Sequence, residues 1–226
     1  MKKSACVVGS EGGIGSAVVK QLEATGDWTV QRMDRAGPLE IDVSDTDAVE
    51  QAFRKARQMA TQLDLLVVCS GILDHGKLKN LTRERWDEVL AVNLTGPFLC
   101  CRAAQDWLVD GGRVVLVGSL AGRTGGVATG TAYAASKGAV ESLTKSLAQE
   151  LAPRRITVNC VAPGGVDTPM LAQNSPQALE ALRAATPLKR MATADEIASA
   201  ILFLASGGAA YITGAVLPIN GGIRMD

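Results

Sequence analysis

The chain has 226 residues, 47% of them apolar, which is enough to bury one large core in a single α/β unit. Its 23 basic and 23 acidic side chains cancel, so no net field draws it to nucleic acid or to an anionic membrane. MKKSACVVGS opens like a secretory leader, but glycines and Glu11 interrupt the apolar run too soon, and no stretch approaches the length of a membrane span.

In chain order, SACVVG reads as a buried strand and IGSAVVKQLEATG as a helix ending at Gly26. WTVQRMD is a second strand and PLEIDV a short third. Ser44 or Asp45 is placed to cap the helix DTDAVEQAFRKARQMATQ. LDLLVVCSG is a fourth strand. A helix from about Thr82 runs through RERWDEVLAVN and on to WLVD, despite Gly96-Pro97 in its middle. GRVVLVGS is a fifth strand, TAYAASKGAVESLTKSLAQELA a long helix, and RITVNCVAP a sixth strand. A partly helical irregular stretch follows Pro163, then the helix TADEIASAILFLAS and a seventh strand, GAVLPIN. Apolar strands alternating with helices predict a parallel sheet covered on both faces. No linker or internal repeat divides the chain, so residues 1–226 form one domain with a large loop at about 165–192.

Five cysteines, Cys6, Cys69, Cys100, Cys101 and Cys160, are an odd number, and four lie in strongly apolar segments. They read as buried, reduced thiols of a cytoplasmic protein. One histidine, His75, and no CxxC spacing leave no zinc site, and zinc-dependent alcohol chemistry goes with it.

VVGSEGGIGSAVV spaces Gly9, Gly13 and Gly15 between the first strand and the first helix. Glycines there let the backbone turn tightly and approach a pyrophosphate, and the helix N-terminus offers N–H groups and partial positive charge. Asp34, about twenty residues on, is placed to bond the adenosine ribose hydroxyls. Asp34 and Glu11 would both repel a 2′-phosphate, whereas Arg35 could swing to meet one. The balance favours NAD over NADP.

With these pieces in place the sequence resembles the short-chain dehydrogenase/reductase family over essentially its whole length. The resemblance rests on GSEGGIG, IDVSD, VVCSG, LAVNLTG, VVLVGS, YAASK, VNCVAPGGVDTPM, PLKRMATADEIA and ITGAVLPINGG, in that order. It implies a doubly wound, seven-stranded parallel Rossmann sheet and hydride transfer between a nicotinamide and an alcohol or carbonyl. It implies a catalytic four of Asn93, Ser119, Tyr133 and Lys137. Tyr133 would be the general acid/base, its phenol lowered by the Lys137 ammonium one helical turn on together with the positive nicotinamide ring of the oxidised cofactor. Ser119 would bond the reacting oxygen, and Asn93 would hold a kink and a water leading from the lysine. The cofactor would meet Gly9, Ser10, Gly13, Ile14, Gly15, Asp34, Asp42, Val43, Ser70, Gly71, Pro163, Gly164, Val166 and Thr168, besides Tyr133 and Lys137. Family members are usually tetramers, so a homo-tetramer is expected, with a dimer the alternative.

Three departures from the family pattern stand out: Val8 where Thr is usual, VVCSG where Asn-Asn-Ala-Gly is usual, and one extra residue between Ser119 and Tyr133. None removes a reacting group. The leading expectation is an NAD(H)-linked oxidoreductase for a secondary alcohol or ketone. The rivals are an NADP(H)-linked 3-oxoacyl ketoreductase and a nucleotide-binding regulator without turnover. Arg123, Arg183, Lys189 and Arg190 are candidates for a basic patch that would receive a carrier-linked substrate. Substrate selectivity is expected from RTGGVATGT and from an apolar wall of Met170, Leu171, Leu179, Leu182 and Met191.

Overall fold

Alternation along the first strand sets the architecture. In β1 (Lys3–Val8), Ala5 and Val7 face one side of the sheet and Cys6 and Val8 the other, and all four are buried. A strand apolar on both faces needs cover on both. The computed structural model, which describes residues 2–126 and 129–225, shows how that cover is supplied.

The remaining strands are β2 (Trp28–Asp34), β3 (Leu39–Glu40), β4 (Leu63–Val68), β5 (Leu108–Val117), β6 (Thr157–Pro163) and β7 (Val216–Ile219). They form one seven-stranded sheet in the order β3-β2-β1-β4-β5-β6-β7, parallel throughout. The helices are α1 (Gly13–Ala24), α2 (Thr46–Met59), α3 (Arg83–Leu90), α4 (Gly96–Ala104), α5 (Ala121–Thr124), α6 (Thr131–Leu151), α7 (Pro176–Ala185) and α8 (Ala194–Ala205). Phe53 of α2, Leu99 of α4 and Val140 of α6 pack with Cys6 and Val8 on one face. Val18 and Leu22 of α1 join Ile197 and Ile201 of α8 on the other. In α8, Ile197, Ala198, Ile201, Leu204 and Ala205 recur along one stripe, and Thr193 and Glu196 close a capping box at its start. Each large side chain so buried contributes roughly 1.5–3 kcal/mol. The fold is therefore the doubly wound Rossmann sheet, in one domain.

Two element boundaries depart from the sequence reading. The helix expected to reach WLVD stops at Ala104, and Leu108 already belongs to β5. Tertiary bonds decide this: the Trp107 indole donates to the Ala60 carbonyl at 2.9 Å, and Leu63 N–H donates to the Trp107 carbonyl at 3.1 Å. The chain is pulled into the sheet before the helix can continue. The third strand is shorter than PLEIDV. The Asp42 carboxylate accepts from Ser44 N–H at 2.9 Å and turns the chain away after Glu40.

Between α3 and α4 the chain makes a π-helical turn, Ala91–Thr95, with Asn93 buried inside it. Gly96 follows where a β-carbon would come within 2.9 Å of the Val43 side chain, and Pro97 takes an early position in α4, where a missing N–H costs little. The sheet order reverses between β1 and β4. That reversal opens a crevice at the C-terminal ends of the strands.

Candidate active site

Strand ends bring the nominated residues to this one edge. Gly9 leaves β1 at φ +82°, and a β-carbon there would lie 2.6 Å from the Ser70 backbone nitrogen at the end of β4. One on Gly15 would collide with the Gly9 carbonyl oxygen. Gly9 and Ser10 donate their amides to the Met33 carbonyl, which ties the loop to β2. Helix α1 starts from Gly12 with no side-chain cap and no acid in its first turn, so its N-terminal positive charge is left to the crevice. Ser70 Oγ is buried with no partner, a state that costs about 1–3 kcal/mol unless something bonds it. An uncapped helix, a glycine cradle and an orphan hydroxyl fit a dinucleotide lying across the switch point.

Asp34 closes β2, and its carboxylate accepts from Glu11 N–H at 3.1 Å. Glu11 itself is paired with Arg32 at 2.8 Å, so its charge is partly cancelled. Arg35 is held by Asp42 at 3.0 Å. Ile14 packs against the core and Val43 against Gly96; both shape the crevice walls.

On the other side of the switch point, Tyr133 and Lys137 lie on the first turns of α6 and are both buried. Lys137 Nζ donates to the Val117 carbonyl at 2.8 Å and stands 5.8 Å from the Tyr133 ring centre. Burial pushes its ammonium down to about 8, although Cys160 and Cys69 nearby oppose this. Ser119, two residues past the end of β5, accepts from Ala121 N–H at 3.1 Å, and its hydroxyl is near enough to the Tyr133 phenol to act on its ionisation. Asn93 clamps the backbone beyond β4: Oδ1 accepts from Ile72 N–H at 2.8 Å, and Nδ2 donates to the Ile72 carbonyl at 3.0 Å. A β-carbon on Gly71 would sit 3.3 Å from Asn93 Oδ1 and 3.4 Å from Lys137 Nζ, so Asn93 and Lys137 meet beside Gly71.

A family model described as enoyl-(acyl carrier protein) reductase matches residues 8–224. The chain belongs to the short-chain dehydrogenase/reductase family. It is 37% identical to nodulation protein G of Rhizobium sp. (strain N33), over 99% of this chain and 97% of that protein. It is 34% identical to the 3-oxoacyl-[acyl-carrier-protein] reductase MabA of Mycobacterium tuberculosis, over 100% and 94%. A solved short-chain dehydrogenase/reductase of Serratia marcescens superposes with a TM-score of 0.91 at 34% identity, covering 99% of this chain and 98% of that one. The chain is thus an oxidoreductase of a family that binds a nicotinamide cofactor.

The expected lowering of the Tyr133 phenol belongs to Lys137 acting together with an oxidised nicotinamide ring. In the protein alone Tyr133 is raised above the ordinary phenol range, because its burial outweighs the nearby Ser119 hydroxyl that would lower it. Lys137 spends its ammonium on the Val117 carbonyl instead. The expected basic patch is also largely neutralised. Arg123 pairs with Glu141, Arg183 with Glu180 and Arg190 with Glu196, while Lys189 donates to the Ala184 carbonyl. All five cysteines are free, and burial pushes every thiol up, so none is a nucleophile at neutral pH. Among the described residues no helix is long and apolar enough to cross a membrane.

Past β6, Pro163 accepts from Leu120 N–H at 2.8 Å and Gly164 donates to Ile219. Val166 bridges to Ala192, and Thr168 Oγ1 donates to the Val166 carbonyl at 3.2 Å. Of the expected apolar wall, Leu182 and Met191 close over Gly165, while Met170, Leu171 and Leu179 are half-buried. Val127 and Ala128 of the RTGGVATGT loop lie outside the described residues. Sequence reasoning missed Arg32, Ser136 and the Val117 carbonyl. Arg32 stands two residues before Asp34, hence on the same strand face, and that spacing was a usable signal. Ser136, inside YAASK, accepts from Asn93 Nδ2 at 3.2 Å. A backbone carbonyl leaves no trace in a sequence.

Proposed function

We propose that this short-chain dehydrogenase/reductase interconverts a ketone and a secondary alcohol with NAD(H) as its preferred cofactor, and that its carbonyl substrate is of the 3-oxoacyl class. The convergence of the Tyr133 phenol, the Ser119 hydroxyl and the buried Lys137 beside the crevice carries the reading. The name of the mycobacterial relative supports the 3-oxoacyl class. Asp34 at the end of β2, with Arg35 engaged by Asp42, supports NAD.

Gly9 to Gly15 would hold the pyrophosphate of a bound cofactor, Asp34 and Ser70 its adenosine ribose, and Pro163, Gly164, Val166 and Thr168 its nicotinamide. When bound, it supplies or accepts the hydride. The chain's own groups handle the proton. Burial keeps Tyr133 protonated at neutral pH, which suits it to give its proton to a carbonyl oxygen as the alcohol forms. Ser119 donates to the same oxygen and steadies its developing charge. Lys137, still largely an ammonium at neutral pH, stabilises the phenolate left behind. Asn93 keeps the floor of the site fixed through Ile72.

The test is turnover of acetoacetyl-CoA and of a simple ketone with NADH and with NADPH, in wild type and Tyr133→Phe. Wild type is expected to work better with NADH, and the variant to lose at least about a hundredfold in kcat with NADH affinity little changed. Turnover retained in Tyr133→Phe would remove Tyr133 from the chemistry. Better turnover with NADPH would mean that Arg35 or Arg32 overrides Asp34.

A further inference from the structure

Helix α6 carries Tyr133 on its first turn, yet it begins without a cap of its own. Its N-cap is Gly130, which has no side chain to satisfy the first amides. A different segment does so, the loop that follows β4. Asp74 offers its carbonyl to Gly130 N–H at 2.6 Å, and Gly76 offers its carbonyl to Thr131 N–H at 2.9 Å. Lys77 Nζ donates to the Thr129 carbonyl at 2.5 Å, one residue earlier. The approach is so close that a β-carbon on Gly130 would collide with Asp74 Oδ2 and come within 2.7 Å of the Gly76 nitrogen. Only glycine admits this joint.

What holds the loop in that shape is an ion pair with no part in the chemistry described above. The Asp74 side chain is only 6% exposed. Oδ2 accepts from Gly76 N–H at 2.9 Å, which forms the turn that presents the Gly76 carbonyl to α6. Oδ1 accepts from Arg85 Nε at 3.0 Å, and an Arg85 terminal nitrogen donates to the Leu73 carbonyl at 2.7 Å. Arg85 sits on α3 and is steadied there by Glu88 at 2.7 Å. A chain of bonds thus runs from α3 through Arg85 and Asp74 to Gly76, then to Thr131, two residues before Tyr133. Removing the Asp74 carboxylate takes away the acceptor that holds Gly76 N–H, and removing Arg85 leaves a buried carboxylate short of its cation, so in either case the loop would rearrange.

We propose that the Asp74–Arg85 pair is a positioning clamp for Tyr133: it caps α6 from outside and so sets where the phenol stands against Ser119 and Lys137. The clamp touches no reacting atom. Its effect on turnover rests on the reading of Tyr133 as the acid/base, but its effect on the phenol does not. Misplacing a reacting group by about an ångström costs on the order of a hundredfold in rate, so a loosened α6 start is expected to be felt in kcat.

The chain's two tyrosines make a direct test possible. Tyr211 is fully exposed, so in a Tyr211→Phe background the tyrosinate absorbance of the cofactor-free protein reports Tyr133 alone. In that background Tyr133 is expected to ionise above the ordinary midpoint near ~10. Asp74→Ala and Gly130→Ala should each bring the midpoint back towards that value by opening the α6 start to water. Gly130→Ala breaks the same joint without removing either charged group, and it serves as well if Asp74→Ala does not fold. With acetoacetyl-CoA and NADH, the same variants should lose about tenfold or more in kcat while the NADH dissociation constant stays within about twofold. Arg85→Lys, which keeps charge without the fork, should fall between wild type and Asp74→Ala. An unchanged Tyr133 midpoint in Asp74→Ala and Gly130→Ala overturns the clamp. So does a loss of kcat, NADH affinity and unfolding midpoint in one proportion, since that is ordinary destabilisation. If wild type turns over neither carbonyl substrate, the proposed activity fails, and the absorbance titration still decides the clamp.

Discussion

The two halves of the crevice, the glycine-lined half proposed to take the cofactor and the 165–192 half proposed to take the substrate, are held by different materials. On the cofactor half, backbone meets backbone: the built β-carbons of Gly9 and Gly15 strike the main chain of Ser70 and Gly9. On the substrate half, side-chain ends do the closing. A β-carbon on Gly165 would meet Met191 Sδ at 2.5 Å and Leu182 Cδ2 at 2.9 Å, and α7 has no buried residue of its own. Thr168 bridges the halves, its methyl lying 2.5 Å from where a Gly13 β-carbon would stand. Main-chain joints cannot yield without moving whole strands, whereas a thioether or leucine tip can rotate away. The nucleotide side is therefore preformed, and the substrate side is left adjustable on a fixed frame.

Lys137 stands at the seam and gives the largest expected effect. Its folded value, about 8, lies below its ordinary 10.5, so the unfolded chain binds that proton more tightly. Below about pH 8 both states carry the charge and the fold bears the full cost of burying it. As pH rises from 8 to 10.5 the unfolded state binds more protons, and the cost disappears. Wild type should therefore gain on Lys137→Met by up to roughly 3 kcal/mol across that window, read as the difference in urea unfolding free energies at each pH. A flat difference would show that Lys137 is not buried as a charge.

A pair of glycine substitutions tests the contrast itself. Gly15→Ala forces the backbone apart, and overpacking of this kind costs typically 1–3 kcal/mol, so NADH affinity should fall about tenfold or more. Gly165→Ala meets only flexible tips; NADH affinity should stay within about twofold while the substrate KM rises several-fold. Equal losses of NADH affinity in the two variants would dissolve the distinction between the halves.

The same division explains what could be read from the sequence. The sheet was legible because buried strands such as LDLLVV and TVNCVAP are apolar on both faces, and α8 because its stripe and its Thr193 cap agree. The places of Ser119 just past a strand end and of Tyr133 and Lys137 one turn apart on a helix were legible because each is set within one local element. Features made by distant chain segments were not. The end of α4 is set by Trp107 bonding Ala60, far back in the chain. The raised phenol of Tyr133 comes from burial, a sum over the whole fold that no local motif encodes.

The smallest effect concerns the cofactor half, where it is least rigid. Arg35 and Asp42 pair at 3.0 Å, but their side chains are 63% and 41% exposed. Exposed pairs contribute about 0–1 kcal/mol, so freeing Arg35 should raise NADPH affinity by up to about fivefold and no more. Asp42→Asn is the suitable change, because its remaining carbonyl oxygen can still accept from Ser44 N–H and hold the turn. NADH affinity should stay within about twofold, and the NADPH gain should vanish when Arg35→Ala is added. If Asp42→Asn weakens both cofactors alike, Asp42 acts on the adenine they share, and preference rests with Asp34. If NADPH binding improves well beyond fivefold, the Asp42 grip on Arg35 is stronger than exposure allows, and this corner of the cofactor half is as rigid as its glycines.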